Sequence, residues 1–247
     1  MQAASPFQGG SILEAWKAAA TVFAGPGAAP YVATVTSGAG WSPTAQQLHE
    51  LDHAADGVGA ERPSTVAEML LPGAVKQSTG NAEQAIEAGL RMLGRARRKR
   101  LRFSQWTHTY FERLVGAYCD RTGKKVQIGQ NRLLGTIEKL NEWGRNFESV
   151  FYIHTNMPDD HFRTMGSPCL QYLQFRAHGD HKLSVVGLYR AHDYTNKFLG
   201  NALGMQGVAE FVARHTGREY DGQTIISIHP FCDSKTQLKK FIDAAVP

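Results

Sequence analysis

Apolar positions along this chain recur at two spacings, the three-to-four step of a helix buried on one side and the two-step of a half-buried strand. Residues 11–24, SILEAWKAAATVFA, have helical spacing behind Ser11, whose hydroxyl suits a cap, so a helix is predicted there. A second helix is predicted over 44–56 and a loop over 57–63. The stretch STVAEMLL, from Ser64 to Leu71, reads as a helix capped by Ser64 and closed before Pro72, which cannot continue it. Residues 80–98 are amphipathic and helical, and an apolar stripe at Leu133, Leu134, Ile137 and Leu140 marks another helix between Gln130 and Trp143. Asn201 to His215 has the spacing of a long helix, with Gly217 as its stop.

Between these lie strand patterns. GPGAAPYVATVTSGAGW, from Gly25, reads as a loop and a short strand, and Val150 to Ile153 as a second. HGDHKLSVVGLY is a turn followed by an alternating strand, and GQTIISIHPF is another. Mixed helices and strands in this order predict an α/β (α+β) fold, a mixed sheet flanked by helices. The 247 residues, 42% of them apolar, suffice for one sizeable core, so residues 1–247 are expected to form a single domain.

Composition adds limits more than answers. No apolar run reaches the length of a membrane span, and MQAASPFQGG lacks the charged and apolar regions of a signal peptide, so a soluble, cytoplasmic protein is expected. Cys119, Cys169 and Cys232 are odd in number and far apart, which suits free thiols in a reducing compartment. A net charge of +5 favours anionic ligands without separating nucleotides from nucleic acids. The run Arg95, Arg97, Arg98, Lys99, Arg100 and Arg102 is a solvated face, a source of phosphate contacts or a nucleic-acid surface. His178 and His181 sit at a turn without matching ligands, and His229 with Cys232 are too few, so no metal is expected.

The chemistry concentrates in SPCLQYLQF, residues 167–175, and LYRAHDYTNKFLGN, residues 188–201. Cys169 follows a proline, Gln174 comes five residues later, and Arg190 and Asp193 close the next strand, with Asn201 eleven residues past Arg190. This pattern resembles the thymidylate synthase and pyrimidine nucleotide hydroxymethylase family. A lone cysteine on a strand is usually a small buried hydrophobe and a strand-end arginine a surface charge; what carries the resemblance is the joint spacing. C5 of a uracil ring is a poor nucleophile until a thiolate adds at C6, after which C5 can attack a one-carbon electrophile. Cys169 would be that thiolate, and a permanently charged Arg190 would lower its pKa and hold a phosphate. The amide of Asn201 can accept the ring N3–H and donate to O4, which fits uracil, whereas a carboxylate there would suit cytosine.

Further roles come from the resemblance alone. It implies a thymidylate synthase-like sheet, a homodimer formed through that sheet, and methylenetetrahydrofolate as the one-carbon donor. It assigns Cys169, Glu68 and Asp193 to catalysis, with Glu68 managing proton transfer at the ring carbonyl and Asp193 ordering base and folate. Gln174, Arg190, Asn201 and His229 would bind substrate, His229 on the sugar side, and Trp106 would join Asp193 at the cofactor. The implied activity is methylation or hydroxymethylation at C5 of a uracil-type nucleotide, with no membrane or nucleic-acid partner expected. Three departures fall on the phosphate site: no arginine occurs between residues 1 and 61, Glu148 and Ser149 stand where an arginine pair is expected, and Ala191 replaces a serine. A fourth, Phe231 in place of a tyrosine, removes a sugar contact. Two alternatives follow: an enzyme of this descent acting on a different pyrimidine in specialised metabolism, and a non-catalytic nucleotide- or nucleic-acid-binding protein on the same fold.

Overall fold

Ser11 does cap the first helix: its hydroxyl accepts from the Glu14 amide at 3.1 Å while the Glu14 carboxylate accepts from the Ser11 amide at 3.1 Å. That reciprocal arrangement satisfies two donors a helix start leaves open. The computed structural model describes residues 6–27, 31–99, 108–143, 148, 151–157, 160, 167–179 and 181–245. In chain order its first elements are β1 (Phe7–Gly9), α1 (Ile12–Ala24), β2 (Ala33–Gly38), α2 (Ala45–Val58), α3 (Pro63–Glu68), α4 (Gly73–Lys76) and α5 (Ala82–Arg98). They are followed by α6 (Tyr110–Val115), the hairpin β3 (Ala117–Cys119) and β4 (Lys125–Gln127), α7 (Arg132–Trp143) and β5 (Phe151–His154). The last are β6 (Leu170–His178), β7 (Lys182–Tyr189), β8 (His192–Asp193), α8 (Phe198–His215), β9 (Glu219–Ser227), β10 (Pro230–Phe231) and α9 (Lys235–Ala244).

Among the described residues six strands form one mixed sheet in the order β1-β2-β9-β7-β6-β5. β7 and β9 are parallel neighbours, so the chain must cross over between them, and α8 is that crossover. The alternation along the strands decides the faces. Leu173, Phe175, Val185, Tyr189, Ile225 and Val35 turn inward and are buried, whereas Tyr152, Gln174, Val186, Leu188, Thr224 and Ile226 share the other face. The inward face belongs to one continuous cluster of buried apolar side chains running from α1 to α9. Trp16 of α1 is fully buried there, tilted against Phe241 with centroids 5.0 Å apart and donating through Nε1 to the Tyr194 carbonyl at 3.1 Å.

α8 is buried along nearly its whole length, and small residues let α3 and the turn after it lie close. A methyl on Gly200 would meet Pro63 O at 2.7 Å, and one on Gly204 would meet Ala67 O at 2.9 Å. This close approach brings Val66 and Met69 alongside the first turn of α8. Predicted boundaries move for local reasons. α3 starts at Pro63 rather than behind a Ser64 cap and ends at Glu68 rather than Leu71: Pro63 takes the first helical position, where its missing N–H is not needed, and the Ser64 hydroxyl turns instead to Asp52. α8 begins at Phe198 rather than Asn201, since the Asp193 carboxylate organises the preceding turn by accepting from the Thr195 amide at 2.9 Å. Helix α6, a single capped turn, carried too little apolar period to be foreseen. Among the described residues no helix is long and apolar enough to cross a membrane.

Candidate functional site

Where β7 leaves the sheet, the chain passes through Arg190 to Asp193 and turns into α8, and the first turn of that helix faces the segment that leads into β6. A cavity of about 250 Å³ opens at this junction. Ser167, Pro168 and Cys169, which lead into β6, line it together with Ala191 to Asp193, Lys197 just before α8 and Asn201 in the first turn of that helix. Val66, Met69 and Phe231 supply apolar surface, and His108, Tyr110 and Arg113 complete the lining.

Cys169, Asp193 and Asn201, distant in the sequence, are thus brought to one cavity. Arg190 is close by but is arranged differently from expectation. Its guanidinium lies at the surface and donates back to the carbonyls of Pro168 and Ser167, both at 3.1 Å, while its amide donates to the Cys169 carbonyl at 2.9 Å. It therefore splints the backbone just before the cysteine. Burial pushes the Cys169 thiol above its ordinary value, and the charges of Arg190 and then Lys197 pull it back. The resting group is a thiol with two cations in electrostatic reach of its anion.

Asp193 is nearly buried, and both of its oxygens hold the turn: Oδ1 accepts from the Thr195 and Asn196 amides, and Oδ2 from Asn196 Nδ2 at 2.7 Å. The remaining assigned residues are spread out. Glu68 is outside the cavity lining, beside Gly73, where burial raises its carboxyl, Lys76 pulls it down and Asp52 pushes it up. Gln174 lies on the outer face of the sheet, accepting from the Tyr172 hydroxyl at 2.9 Å and paired across β5 with Tyr152. His229 is exposed, its carbonyl accepting from the His192 amide at 3.0 Å and its ring stacked on Phe231. Trp106 lies outside the described residues.

Three lining residues had no signal strong enough to mark them. Tyr110 belongs to no spacing motif in the sequence, yet its hydroxyl oxygen accepts from the backbone amides of Cys169 at 3.1 Å and Leu170 at 3.3 Å. Burial pushes this phenol up to about 12, aided by the neighbouring Cys169, so it stays protonated. With its oxygen accepting twice, its own proton is available to a ligand or a thiolate. Arg113 is buried and its charge is met by Asp160, to which both terminal nitrogens donate; Nη1 also donates to the Thr155 carbonyl at 3.3 Å. His192, hidden between Arg190 and Asp193, is fully buried and holds Asn201 through a 3.0 Å contact between Nε2 and Nδ2. Nearby, the buried Tyr189 hydroxyl has no hydrogen-bond partner among the described residues, and burial raises its phenol well above the ordinary value, with Tyr110 and Cys169 acting in the same sense.

No family model matches the chain, and no curated protein matches it. Among the described residues no cluster of three or more histidine, cysteine or carboxylate side chains could hold a metal ion.

Proposed function

We propose that this chain activates C5 of a uracil-type pyrimidine through an adduct of Cys169 at C6 and transfers a one-carbon unit to that carbon. The observation that carries the reading is the convergence of Cys169 and Asn201 on one cavity, which Tyr110 also lines while its hydroxyl accepts from the Cys169 amide. In this reading the Cys169 thiolate adds to C6, and the electron pair of the C5=C6 bond passes through C4 to O4. Hydrogen bonds from Asn201 Nδ2 and the Tyr110 O–H are suited to the charge that develops there. C5 then attacks the electrophilic carbon, loses its proton, and expels the thiolate to restore the ring.

The resemblance names methylenetetrahydrofolate as donor. At about 250 Å³ the cavity is below the roughly 300–1,000 Å³ usual for small-molecule sites, and Asp193, which the resemblance assigns to folate, already engages both carboxylate oxygens in its own turn. The electrophile is defined by its chemistry, a one-carbon unit at the oxidation level of formaldehyde or an equivalent iminium.

One observation favours an unphosphorylated pyrimidine, the specialised-metabolism alternative, over a nucleotide. The Arg113 charge is matched by Asp160, Arg190 is turned onto backbone carbonyls, and Lys197 lies 3.4 Å from the Glu61 carboxylate. A phosphate would have to compete for cations that already have partners.

The test is loss of the C5 hydrogen in heavy water, followed by NMR on uridine, UMP, dUMP and their cytosine counterparts. Exchange of a uracil compound, abolished in Cys169→Ser, supports the mechanism. Exchange that survives in Cys169→Ser refutes the thiolate mechanism, and no exchange on any substrate with folded protein leaves a non-catalytic binding protein as the better reading. The open face of the sheet, with Val186, Leu188 and Ile226 between Tyr152 and Thr34, supports a second copy of the chain as partner.

A further inference from the structure

Asn201 can match a uracil edge or, turned over, a cytosine edge, because its oxygen and nitrogen exchange places on rotation of the amide. What holds the amide therefore decides what it recognises. Its nitrogen, Nδ2, faces His192 Nε2 at 3.0 Å, and the other ring nitrogen, Nδ1, faces the Ser227 hydroxyl at 3.1 Å. The ring is locked from both sides, stacked on Tyr189 with centroids 4.1 Å apart and planes 16° apart, and covered by Phe198 at 4.7 Å. His192 is 1% exposed and Ser227 0%.

Burial with no compensating charge takes the imidazole pKa down to about 3, so the ring is neutral and carries one proton. An amide N–H can be received only by a bare ring nitrogen. Nε2 must therefore be the acceptor, Nδ1 must carry the proton, and Ser227 must accept it.

We propose that the Ser227–His192 pair is the specificity-determining element of this site: it fixes one tautomer of a neutral imidazole, and that tautomer holds Asn201 with its oxygen toward the pyrimidine N3. The inference rests on the pyrimidine reading above and deepens it. In this arrangement Asn201 Oδ1 accepts from N3–H, and the second hydrogen of Nδ2 goes to the 4-oxo group. With the proton moved to Nε2, the amide would turn its oxygen to the ring; Oδ1 would then also accept from a 4-amino group and Nδ2 would donate to a bare N3. Both act through the Asn201 amide, Ser227 by way of His192, so both are positioning residues. Ser227→Ala removes the acceptor for Nδ1–H. A buried donor without a partner is the costlier orphan, so the proton is driven to Nε2 and Asn201 with it.

Two measurements test this. The first is the nitrogen spectrum of the ligand-free wild-type protein labelled at histidine, which reports which ring nitrogen of His192 carries hydrogen. Nδ1–H is expected, and Nε2–H overturns the proposal while leaving the C5 chemistry intact. The second is the ratio of uridine to cytidine affinity. We expect wild type to favour uridine by about tenfold or more, the discrimination of one good paired contact, and Ser227→Ala to lose at least that factor, with Ser227→Thr retaining it. A ratio unchanged in Ser227→Ala, or a proton still on Nδ1 in that variant, overturns the proposal. Should Ser227→Ala not fold, the wild-type proton position and the Ser227→Thr ratio still decide. Failure of both nucleosides to bind wild type overturns the pyrimidine reading instead, and the ring proton, read without ligand, tells the two failures apart.

Discussion

Removing one oxygen from Tyr110 tests whether the wall of the cavity is held as described. In Tyr110→Phe the ring keeps its place, but the amides of Cys169 and Leu170, which donate to the hydroxyl at 3.1 and 3.3 Å, lose their acceptor. A buried donor left unsatisfied costs about 1–3 kcal/mol. The longer of the two contacts belongs at the low end of that range, so the sum is about 2–4 kcal/mol. For a chain of this size each kcal/mol corresponds to roughly 2–4 °C in Tm, giving a fall of roughly 5–15 °C. The control is Tyr172→Phe, which removes a hydroxyl donating to Gln174 on the open face of the sheet, where water replaces the lost partner and the cost stays below about 1 kcal/mol. Urea titrations of both variants, compared at equal slope, give the difference directly. A Tyr110→Phe loss within about 0.5 kcal/mol of the control would refute the claim that this hydroxyl anchors the cysteine segment.

Other outcomes follow from the same geometry. Because His192 titrates near 3 in the fold and near 6.5 unfolded, the unfolded chain takes up a proton that the fold refuses; stability should drop as pH falls below 6.5, by about 3 kcal/mol at pH 4.5. Urea midpoints between pH 7 and 4.5 should show that slope in wild type and a clearly shallower one in His192→Gln, where His215, also held down by burial, still contributes. Asp160→Asn should destabilise by about 3–5 kcal/mol, since it leaves the Arg113 charge buried without its counterion, and thermal unfolding measures it. If the open sheet face is a dimer interface, Leu188→Lys should sediment as a monomer where wild type sediments as a dimer; no change of mass would exclude that face.

Much of the architecture was legible because the periods are strong where burial is one-sided. The stripes of α1, α5 and α7 and the alternation of β7 and β9 follow directly from which side chains meet the core. Elements set by tertiary contacts were not legible. α6 is six residues long and is held by the reciprocal contacts of Thr109 and Glu112, with Arg97 donating to the same carboxylate and to the Cys119 carbonyl at 3.1 Å. Thus one member of the basic run turns inward as a structural cation, while Arg95, Arg98 and Lys99 are exposed. At the site, spacing picked out Cys169, just before β6, and Asp193 and Asn201, in the passage from β7 into α8, and these three line one cavity. It could not identify Tyr110, which arrives from a different part of the fold, or His192, whose role depends on Ser227 thirty-five residues away.

That division also explains why net charge is a poor guide here. The +5 of the chain suggests an anionic ligand, yet the cations nearest the cavity are each matched by a carboxylate or turned onto backbone carbonyls. Long-range attraction is a property of exposed charge, and salt weakens it over about 10 Å. On the proposed function, selection inside the cavity would instead rest on groups that carry no charge at rest: the Cys169 thiol, the Tyr110 phenol, the Asn201 amide and the His192 imidazole. For such a site discrimination comes from where single protons sit, because each misplaced donor or acceptor in a buried wall costs a tenfold factor or more. Raising the salt should therefore leave the ratio of affinities for two neutral pyrimidines unchanged, even where it slows the approach of a charged one.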